Sequence, residues 1–152
     1  MLRRVKSIEG KARGSRFAIV ASLYNARYVG AMLAAASKEL EQAGAKILIV
    51  RVPGAFEIPL AAAKLARRRG ISAVICLGVI LRGETVHAEH IGREVSRALM
   101  DIQLESGIPV IHEVLLLENE GQARVRCLDG KFNRGGEAAQ TALTMAAALR
   151  KI

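Results

Sequence analysis

Residues 17–44 read FAIVASLYNARYVGAMLAAASKELEQAG, and this stretch decides the fold. Its first five residues are a short apolar run typical of a buried strand, and a polar turn follows them. Asn25 is a favoured N-cap residue, and after it apolar side chains recur at helical spacing from Val29 to Leu40 until Gly44 ends the pattern. The stretch therefore predicts one strand followed by one helix.

The same alternation of strand and helix occurs three more times along the chain. The predicted strands span residues 46–50, 73–79 and 109–116, and the predicted helices span about 57–69, 85–106 and 135–149. Four such units are typical of a parallel sheet with helices on both faces. We therefore expect an α/β three-layer sandwich with a four-stranded parallel sheet in a flavodoxin-like arrangement. Residues 16–152 would form this single domain, after a basic arm at 1–15.

The composition is that of a globular chain with a core of small and aliphatic side chains. Of the 152 residues 51% are hydrophobic, and this high fraction excludes a disordered chain. Only 3% are aromatic and none is Trp. Cys76 and Cys127 have neither metal-site spacing nor a disulfide framework, as expected in a reducing compartment. No segment approaches the ~20 apolar residues of a membrane span. We therefore expect a soluble, cytoplasmic protein with no membrane partner.

The chain is strongly basic, with a formal net charge of +9. Six of its Lys and Arg residues fall within the first sixteen positions, against a single Glu. Such an arm could contact nucleic acid or an acidic surface, although a solvated basic terminus is the simpler interpretation. Because the chain has few aromatic side chains to stack on bases, nucleic acid is not an expected partner.

Ligands of open parallel sheets bind beyond the carboxyl ends of the strands, and the loops at these ends span residues 22–25, 52–57, 80–87 and 117–134. The third loop carries Gly78 and Gly83 at the spacing of a nucleotide-binding P-loop. Glu84, however, occupies the position of the phosphate-binding lysine and would repel a triphosphate. The donors that remain, at Gly83 and Thr85 beside a helix N-terminus, suit a single phosphate group.

Three histidines are candidates for acid–base chemistry or metal binding. His87 lies in the first turn of a predicted helix, where the helix dipole favours a neutral ring that can accept a proton; a surface histidine without a role is the alternative. His90 follows at i+3, and His112 precedes Glu113 on the last strand, so a zinc site must be considered. The spacing differs from that of H-E-x-x-H and no third ligand is fixed, so no metal is expected.

Two further features suggest an anionic ligand that carries hydroxyl groups. Glu57 lies at a predicted helix start, where its carboxylate would cap the helix or accept hydrogen bonds from a polyol. Residues 124–134 contain four cations, Arg124, Arg126, Lys131 and Arg134, against one Asp. This local excess of positive charge favours a phosphate monoester.

Several motifs together resemble one protein family. They are PGAFEIP at 53–59, LGVILRGETVH at 77–87, EN at 118–119 and QA at 122–123 with Arg126, and NRG at 133–135. In order and spacing they are similar to those of the 6,7-dimethyl-8-ribityllumazine synthases of riboflavin biosynthesis. The resemblance extends from about Arg16 to the C-terminus. It implies a transferase that condenses 5-amino-6-(D-ribitylamino)uracil with 3,4-dihydroxy-2-butanone 4-phosphate, releases phosphate and water, and needs no metal or organic cofactor.

The resemblance also implies the roles of the matching residues. His87 would act as general acid and base, and Arg126 would bind the phosphate with help from Gly83, Glu84 and Thr85. The other substrate-binding positions that the family implies are Tyr24, Asn25, Ala55, Phe56, Glu57, Val79, Ile80, Leu81, His112 and Arg134. Among these the aromatic ring would stack on the uracil, residues 55–57 would hold the ribityl chain, and the arginine stands where the family often has lysine.

The chain departs from the family pattern beside the expected pyrimidine site. His112 and Glu113 stand where the family usually has a Phe-Gly pair, Val79 replaces a frequent Thr, and Leu116 and Leu117 replace two Thr residues. These departures would change the affinity for the pyrimidine or the rate. A relative that binds lumazines or flavins, or forms a shell, without turnover is therefore the alternative.

The family further implies a homopentamer, or an assembly of pentamers up to an icosahedral shell, with each site shared between adjacent subunits. One subunit would supply Tyr24, residues 55–57 and His87, and its neighbour would supply His112, Arg126 and Arg134. The arm before residue 17 would add a strand to a neighbour's sheet. The alanine-rich last helix would allow close approach of another helix or of a neighbouring subunit.

Overall fold

The computed structural model describes residues 12–152, so the predicted arm lies mostly outside the described residues. The described strands are β1 (Arg16–Ser22), β2 (Lys46–Val52), β3 (Ile71–Leu81) and β4 (Val110–Leu117). The described helices are α1 (Ala26–Gln42), α2 (Ile58–Ala66), α3 (His87–Ser106), α4 (Glu120–Ala123) and α5 (Arg134–Leu149). A 3₁₀ turn (Ala55–Glu57) precedes α2, and a π-helical turn (Arg124–Leu128) follows α4.

The four strands form one parallel sheet in the order β2–β1–β3–β4. Helices α1 and α5 pack on one face and α2 and α3 pack on the other, which confirms the predicted three-layer sandwich. The chain leaves β1 towards one face and leaves the neighbouring strand β3 towards the opposite face. A crevice therefore opens between these two strands at their carboxyl ends, which is the usual ligand position in such sheets.

The contact between α1 and α5 depends on small side chains. Ala138 and Ala142 of α5 are fully buried in the same cluster as Met32 and Ala36 of α1. Gly135, in the first turn of α5, lies against the backbone of Met32 with no room for a Cβ atom. The alanine-rich helix thus makes this close approach within its own chain.

Gly78 lies inside β3 and not in a phosphate-binding loop. A Cβ atom at this position would stand 3.1 Å from Cδ1 of Ile58 and 3.2 Å from Cγ1 of Val114, so the glycine lets α2 and β4 pack tightly on the central strand. A strand glycine in such contacts cannot wrap a triphosphate, in agreement with the expectation that this segment is not a P-loop.

Several element boundaries differ from the expectation by a few residues, and among the strands β2 extends to Val52 and β3 spans Ile71–Leu81. The helix expected at about 57–69 ends at Ala66, and the helix expected to begin near Thr85 begins at His87. The segment 117–134, expected as a loop, contains α4 and the π-helical turn, whose short length leaves little periodicity in the sequence. None of the helices within residues 12–152 combines the length and hydropathy needed to cross a bilayer.

Candidate active site

A cleft of about 720 Å³ opens at the carboxyl end of the sheet, between the loops that follow β1, β2 and β3. The sequence-predicted residues that line it are Tyr24, Asn25, Ala55, Phe56, Glu57, Val79, Ile80, Leu81, Gly83, Thr85 and His87. Two of the sequence motifs, together with Tyr24 and Asn25, therefore meet at one cavity. Glu84, His112, Arg126 and Arg134 are not among its lining residues.

Backbone hydrogen bonds join the loop after β1 to the loop after β2. The amide of Leu23 donates to the carbonyl of Val52 at 2.7 Å, and the amide of Tyr24 donates to the carbonyl of Pro53 at 3.0 Å. These bonds hold the Tyr24 side chain, which is 75% exposed, beside the cleft. The site thus presents a flat aromatic surface to any ligand that enters.

Asn25 takes a different role from the side-chain N-cap that the sequence predicts. It occupies the N-cap position of α1, but its backbone is left-handed, with φ 56° and ψ 45°, and its side chain makes no capping hydrogen bond. Its side-chain amide instead donates to the carbonyl of Val79 at 2.7 Å. This hydrogen bond fixes the loop against the end of β3. The left-handed backbone is acceptable here because Asn, with its short polar side chain, adopts that conformation more readily than most residues.

Glu57 closes the turn that leads into α2. Its Oε2 accepts a hydrogen bond of 3.1 Å from the backbone amide of Gly54 across the 3₁₀ turn, so one carboxylate oxygen is used locally, whereas the side chain makes no capping hydrogen bond to α2. Phe56 beside it is 63% exposed and lines the cleft. The turn thus places an aromatic ring and a carboxylate at the same opening.

His87 is the first residue of α3, at the positive end of the helix dipole. Its backbone amide donates to Oγ1 of Thr85 at 3.4 Å, which gives one of the free amides at the helix start a partner. The ring is exposed and lines the cleft, so it is available for proton transfer to a bound molecule.

One face of α3 extends the cleft beyond the residues expected from the motifs. His90, Ile91 and Glu94 line it at positions i+3, i+4 and i+7 from His87, which is the spacing of one helix face. The sequence indicated His90 only as a possible metal ligand. Helical spacing from His87 was the signal that could have identified all three.

Arg82 joins the loops after β3 and β4, and the sequence assigned it no role. Its Nη1 donates to Oε1 of Glu118 at 2.8 Å, and its Nη2 pairs with Glu89 on α3. The guanidinium thereby joins the loop that carries Gly83 and Thr85 to α3 and to the loop after β4. No local pattern indicates these contacts, because the two carboxylates are 7 and 36 residues away in the sequence.

A second group of predicted residues lies along the edge strand β4. Glu113 is buried and accepts two hydrogen bonds from Arg134, from Nε at 3.2 Å and from Nη2 at 3.1 Å. Nη1 of Arg134 donates to Glu137 at 2.6 Å. Burial raises the pKa of Glu113 above its ordinary value, while Arg134 and then Arg126 act against this rise. Arg126 therefore lies within electrostatic range of the same carboxylate.

His112 points to the opposite side of β4 and is held in one tautomer. Its Nδ1 accepts a hydrogen bond from the backbone amide of Val114 at 3.1 Å, so the proton of the neutral ring resides on Nε2. Nε2 lies 2.7 Å from Oγ of Ser96, whose hydroxyl donates to the carbonyl of Gly92. Desolvation lowers the pKa of His112, which favours this neutral form.

The described residues contain no group of three His, Cys, Asp or Glu side chains that could hold a metal ion. His87 and His90 line the cleft, whereas His112 on β4 is hydrogen-bonded to Ser96 on α3. The histidines and Glu113 therefore do not converge into the zinc site that the sequence raised as an alternative.

Comparison with known proteins identifies relatives over almost the whole chain. The family model described as 6,7-dimethyl-8-ribityllumazine synthase matches residues 14–150. Proteins with that name from Stenotrophomonas maltophilia (strain R551-3) and Clostridium kluyveri (strain ATCC 8527) are each 40% identical. The first match covers 91% of both chains, and the second covers 97% of this chain and 99% of the relative. A third relative of that name, from Xylella fastidiosa (strain 9a5c), is 39% identical over 95% of this chain and 97% of its own.

Proposed function

This chain belongs to the 6,7-dimethyl-8-ribityllumazine synthase family of transferases in riboflavin biosynthesis, and we propose that it condenses 5-amino-6-(D-ribitylamino)uracil with 3,4-dihydroxy-2-butanone 4-phosphate. The products would be 6,7-dimethyl-8-ribityllumazine, inorganic phosphate and water. The observation that carries the proposal is the cleft in which the PGAFEIP turn, the end of β3 and His87 meet. The reaction as proposed needs no metal or organic cofactor.

The pyrimidine substrate would lie across the part of the cleft with exposed aromatic side chains. Tyr24 offers a face for the uracil ring, and residues 55–57 offer a carboxylate and backbone groups for the ribityl hydroxyls. Val79, Ile80 and Leu81 lie at the end of β3, where backbone groups reach the ring. Fixing both substrates in one cleft replaces a bimolecular encounter with an effectively unimolecular step.

His87 would transfer protons during each stage of the condensation. Imine formation between the amino group of the pyrimidine and the ketone releases one water, and elimination then releases phosphate. Attack of the ribityl-bearing nitrogen on the remaining carbonyl closes the ring, and a second water leaves. A proton moves in each of these steps, and general acid–base catalysis of this kind contributes about 10² to 10⁴ in rate. The exposed ring of His87 at the start of α3 supports the role.

Arg126 would bind the phosphate of the second substrate, helped by the backbone amides of Gly83 and Glu84 and by Thr85 in the loop before α3. Arg126 makes no hydrogen bond or ion pair with any residue from 12 to 152, so its charge remains for a ligand. Since Arg126, Arg134 and His112 do not line their own chain's cleft, we propose that they complete the cleft of a neighbouring subunit. This arrangement requires a homo-oligomer, which we propose to be a pentamer or a multiple of it, as the family resemblance implies.

We propose the cytoplasm as the place of this reaction. Both cysteines are free and buried, as expected in a reducing compartment.

The direct test is to mix the two substrates with the protein and to record the absorbance and fluorescence of the lumazine. We expect product formation well above the spontaneous rate. A rate no higher than the spontaneous one, with lumazine or flavin still bound tightly, would instead identify a binding or shell-forming protein. Measuring particle mass on the same sample distinguishes a single pentamer from larger assemblies.

A further inference from the structure

A carboxylate lies beside Arg134, one of the four cations at 124–134 whose local excess favours an anionic ligand. Glu113 is only 7% exposed, and both of its carboxylate oxygens accept hydrogen bonds from the guanidinium of Arg134, at 3.1 and 3.2 Å. The third guanidinium nitrogen, Nη1, donates to Glu137 at 2.6 Å. All three nitrogens of Arg134 therefore already have carboxylate partners.

These contacts remove Arg134 from competition for an anion. Two-point pairing of a guanidinium with a carboxylate is among the strongest hydrogen-bonding arrangements in proteins. Nη1 and Nη2 each keep one N–H group, but two carboxylates already neutralise the guanidinium. A phosphate that took over the bonded N–H groups would leave the buried Glu113 carboxylate without its counter-ion. The cost of that exchange opposes it.

The charges of Glu113, Glu137, Arg134 and Arg126 cancel. Glu113, Arg134 and Glu137 together carry one net negative charge, and the nearby charge of Arg126 balances it. Arg126 has no carboxylate partner of its own among residues 12–152. A phosphate dianion at Arg126 would therefore also meet the repulsion of the Glu113 carboxylate, which a residue without charge at position 113 would not exert.

We propose that Glu113 is a positioning residue that withholds Arg134 from the anion, leaves Arg126 as the cation that receives a phosphate group, and weakens the hold on that phosphate. The identity of the phosphate-bearing substrate rests on the proposed function. A weak site suits a reaction that releases inorganic phosphate, because the product must leave before the next substrate can bind.

The first test measures the binding of inorganic phosphate by titration calorimetry in a phosphate-free buffer of low ionic strength. Removing the charge with Glu113→Gln should tighten phosphate binding about three- to tenfold, the size expected for one unit charge within about 10 Å of a dianion. The matched control is Glu105→Gln, which removes the same charge from the exposed far end of α3 and should leave the affinity within about twofold of the wild type.

A double variant decides whether Arg134 itself binds the phosphate. Glu113→Gln combined with Arg134→Gln removes both partners of the buried pair and leaves the local charge unchanged. We expect phosphate affinity within about twofold of the wild type, whereas Arg126→Gln should lose about tenfold or more. The double variant remains informative even where Glu113→Gln alone does not fold, because it removes both charges of the buried pair and leaves only the partly exposed Glu137 without its partner.

Three results would overturn the inference. They are unchanged or weaker phosphate binding by Glu113→Gln, a loss in the double variant as large as that of Arg126→Gln, and no phosphate binding by either the wild type or Glu113→Gln. Phosphate binding is measured without turnover, so these outcomes are separate from failure of the lumazine assay. In that assay, Glu113→Gln should lower KM for the phosphorylated substrate by more than it changes KM for the pyrimidine.

Discussion

The side-chain amide of Asn25 donates a hydrogen bond to the carbonyl oxygen of Val79, 2.7 Å away, and so joins the loop after β1 to the end of β3. The last residues paired between these strands are Ala21 and Leu77, so the bond lies beyond the end of the β1–β3 ladder. Both residues line the cleft. One side chain therefore holds together the two strands between which the site opens.

Asn25 should be hard to replace for two separable reasons. Asn25→Gly keeps a residue that tolerates φ 56° but removes the hydrogen bond, and we expect a loss of about 1 to 2 kcal/mol in the free energy of unfolding. Asn25→Ala adds the strain of a left-handed alanine and should cost about 1 kcal/mol more. Urea denaturation measures the order. Equal stability of the two variants would mean that the backbone conformation is not the constraint.

Gly135 should tolerate no side chain, because a Cβ atom there would overlap the Met32 carbonyl group and lie 2.6 Å from the Met32 Cα atom. Because the Met32 backbone, unlike a side chain, cannot move aside by changing rotamer, Gly135→Ala should separate α1 from α5 and destabilise the chain by about 2 kcal/mol or more. The neighbouring Gly136→Ala is the control, since its nearest atom, Cγ of Glu39, is 3.9 Å away.

Gly136→Ala should be neutral or stabilising by up to about 1 kcal/mol, because alanine is the better helix former. Thermal melting of the two variants checks the contrast. A melting temperature of Gly135→Ala equal to that of the wild type would contradict the tight contact between the two helices.

His87 should carry most of the acid–base chemistry. Replacement by Gln keeps a hydrogen-bonding side chain but cannot exchange a proton, so kcat should fall by about 10² to 10⁴. His90→Gln is a matched change one helical turn further along the same cleft wall, and its loss should stay below about tenfold. Steady-state kinetics at saturating substrates compares them. Similar losses in both variants would remove the general acid–base role from His87.

His112 should make the folded protein less stable as the pH falls. Desolvation holds its folded-state pKa below the ordinary 6.5, and the Nδ1 atom that would take the proton accepts the Val114 amide. The unfolded chain takes up this proton below pH 6.5 while the folded chain does not. The contribution of His112 is therefore complete above 6.5 and is lost progressively at lower pH.

The measurement is the melting temperature of the wild type and of His112→Phe from pH 8 to about pH 5. Below pH 6.5 the melting temperature of the wild type should fall relative to that of His112→Phe. Glu113, whose raised pKa acts with the opposite sign, is present in both proteins, so its effect cancels in the comparison. Parallel curves would mean that the ring of His112 titrates as it does in water.

The alternation of strands and helices could be predicted because its signals are local. Apolar runs such as that of β3 and helical spacing such as that of α1 depend only on neighbouring residues, and both elements lie where the sequence predicts them. The motifs of the cleft could be identified for a related reason. The loops that carry them follow strands of one parallel sheet, whose carboxyl ends necessarily lie on one side.

The partners of the charged side chains were decided by the tertiary structure alone. Glu113 and Arg134 are 21 residues apart, and Arg82 and Glu118 are 36 apart, yet each pair forms hydrogen bonds. Helix α5 packs against β4 and brings the first pair together, and the adjacency of β3 and β4 in the sheet brings the second pair together. The sequence by itself determined the elements, the edge of the sheet where the cleft opens and the types of side chain available there. Which arginine is already neutralised and which remains for an anion depends on distances between remote segments, and only folding sets those distances.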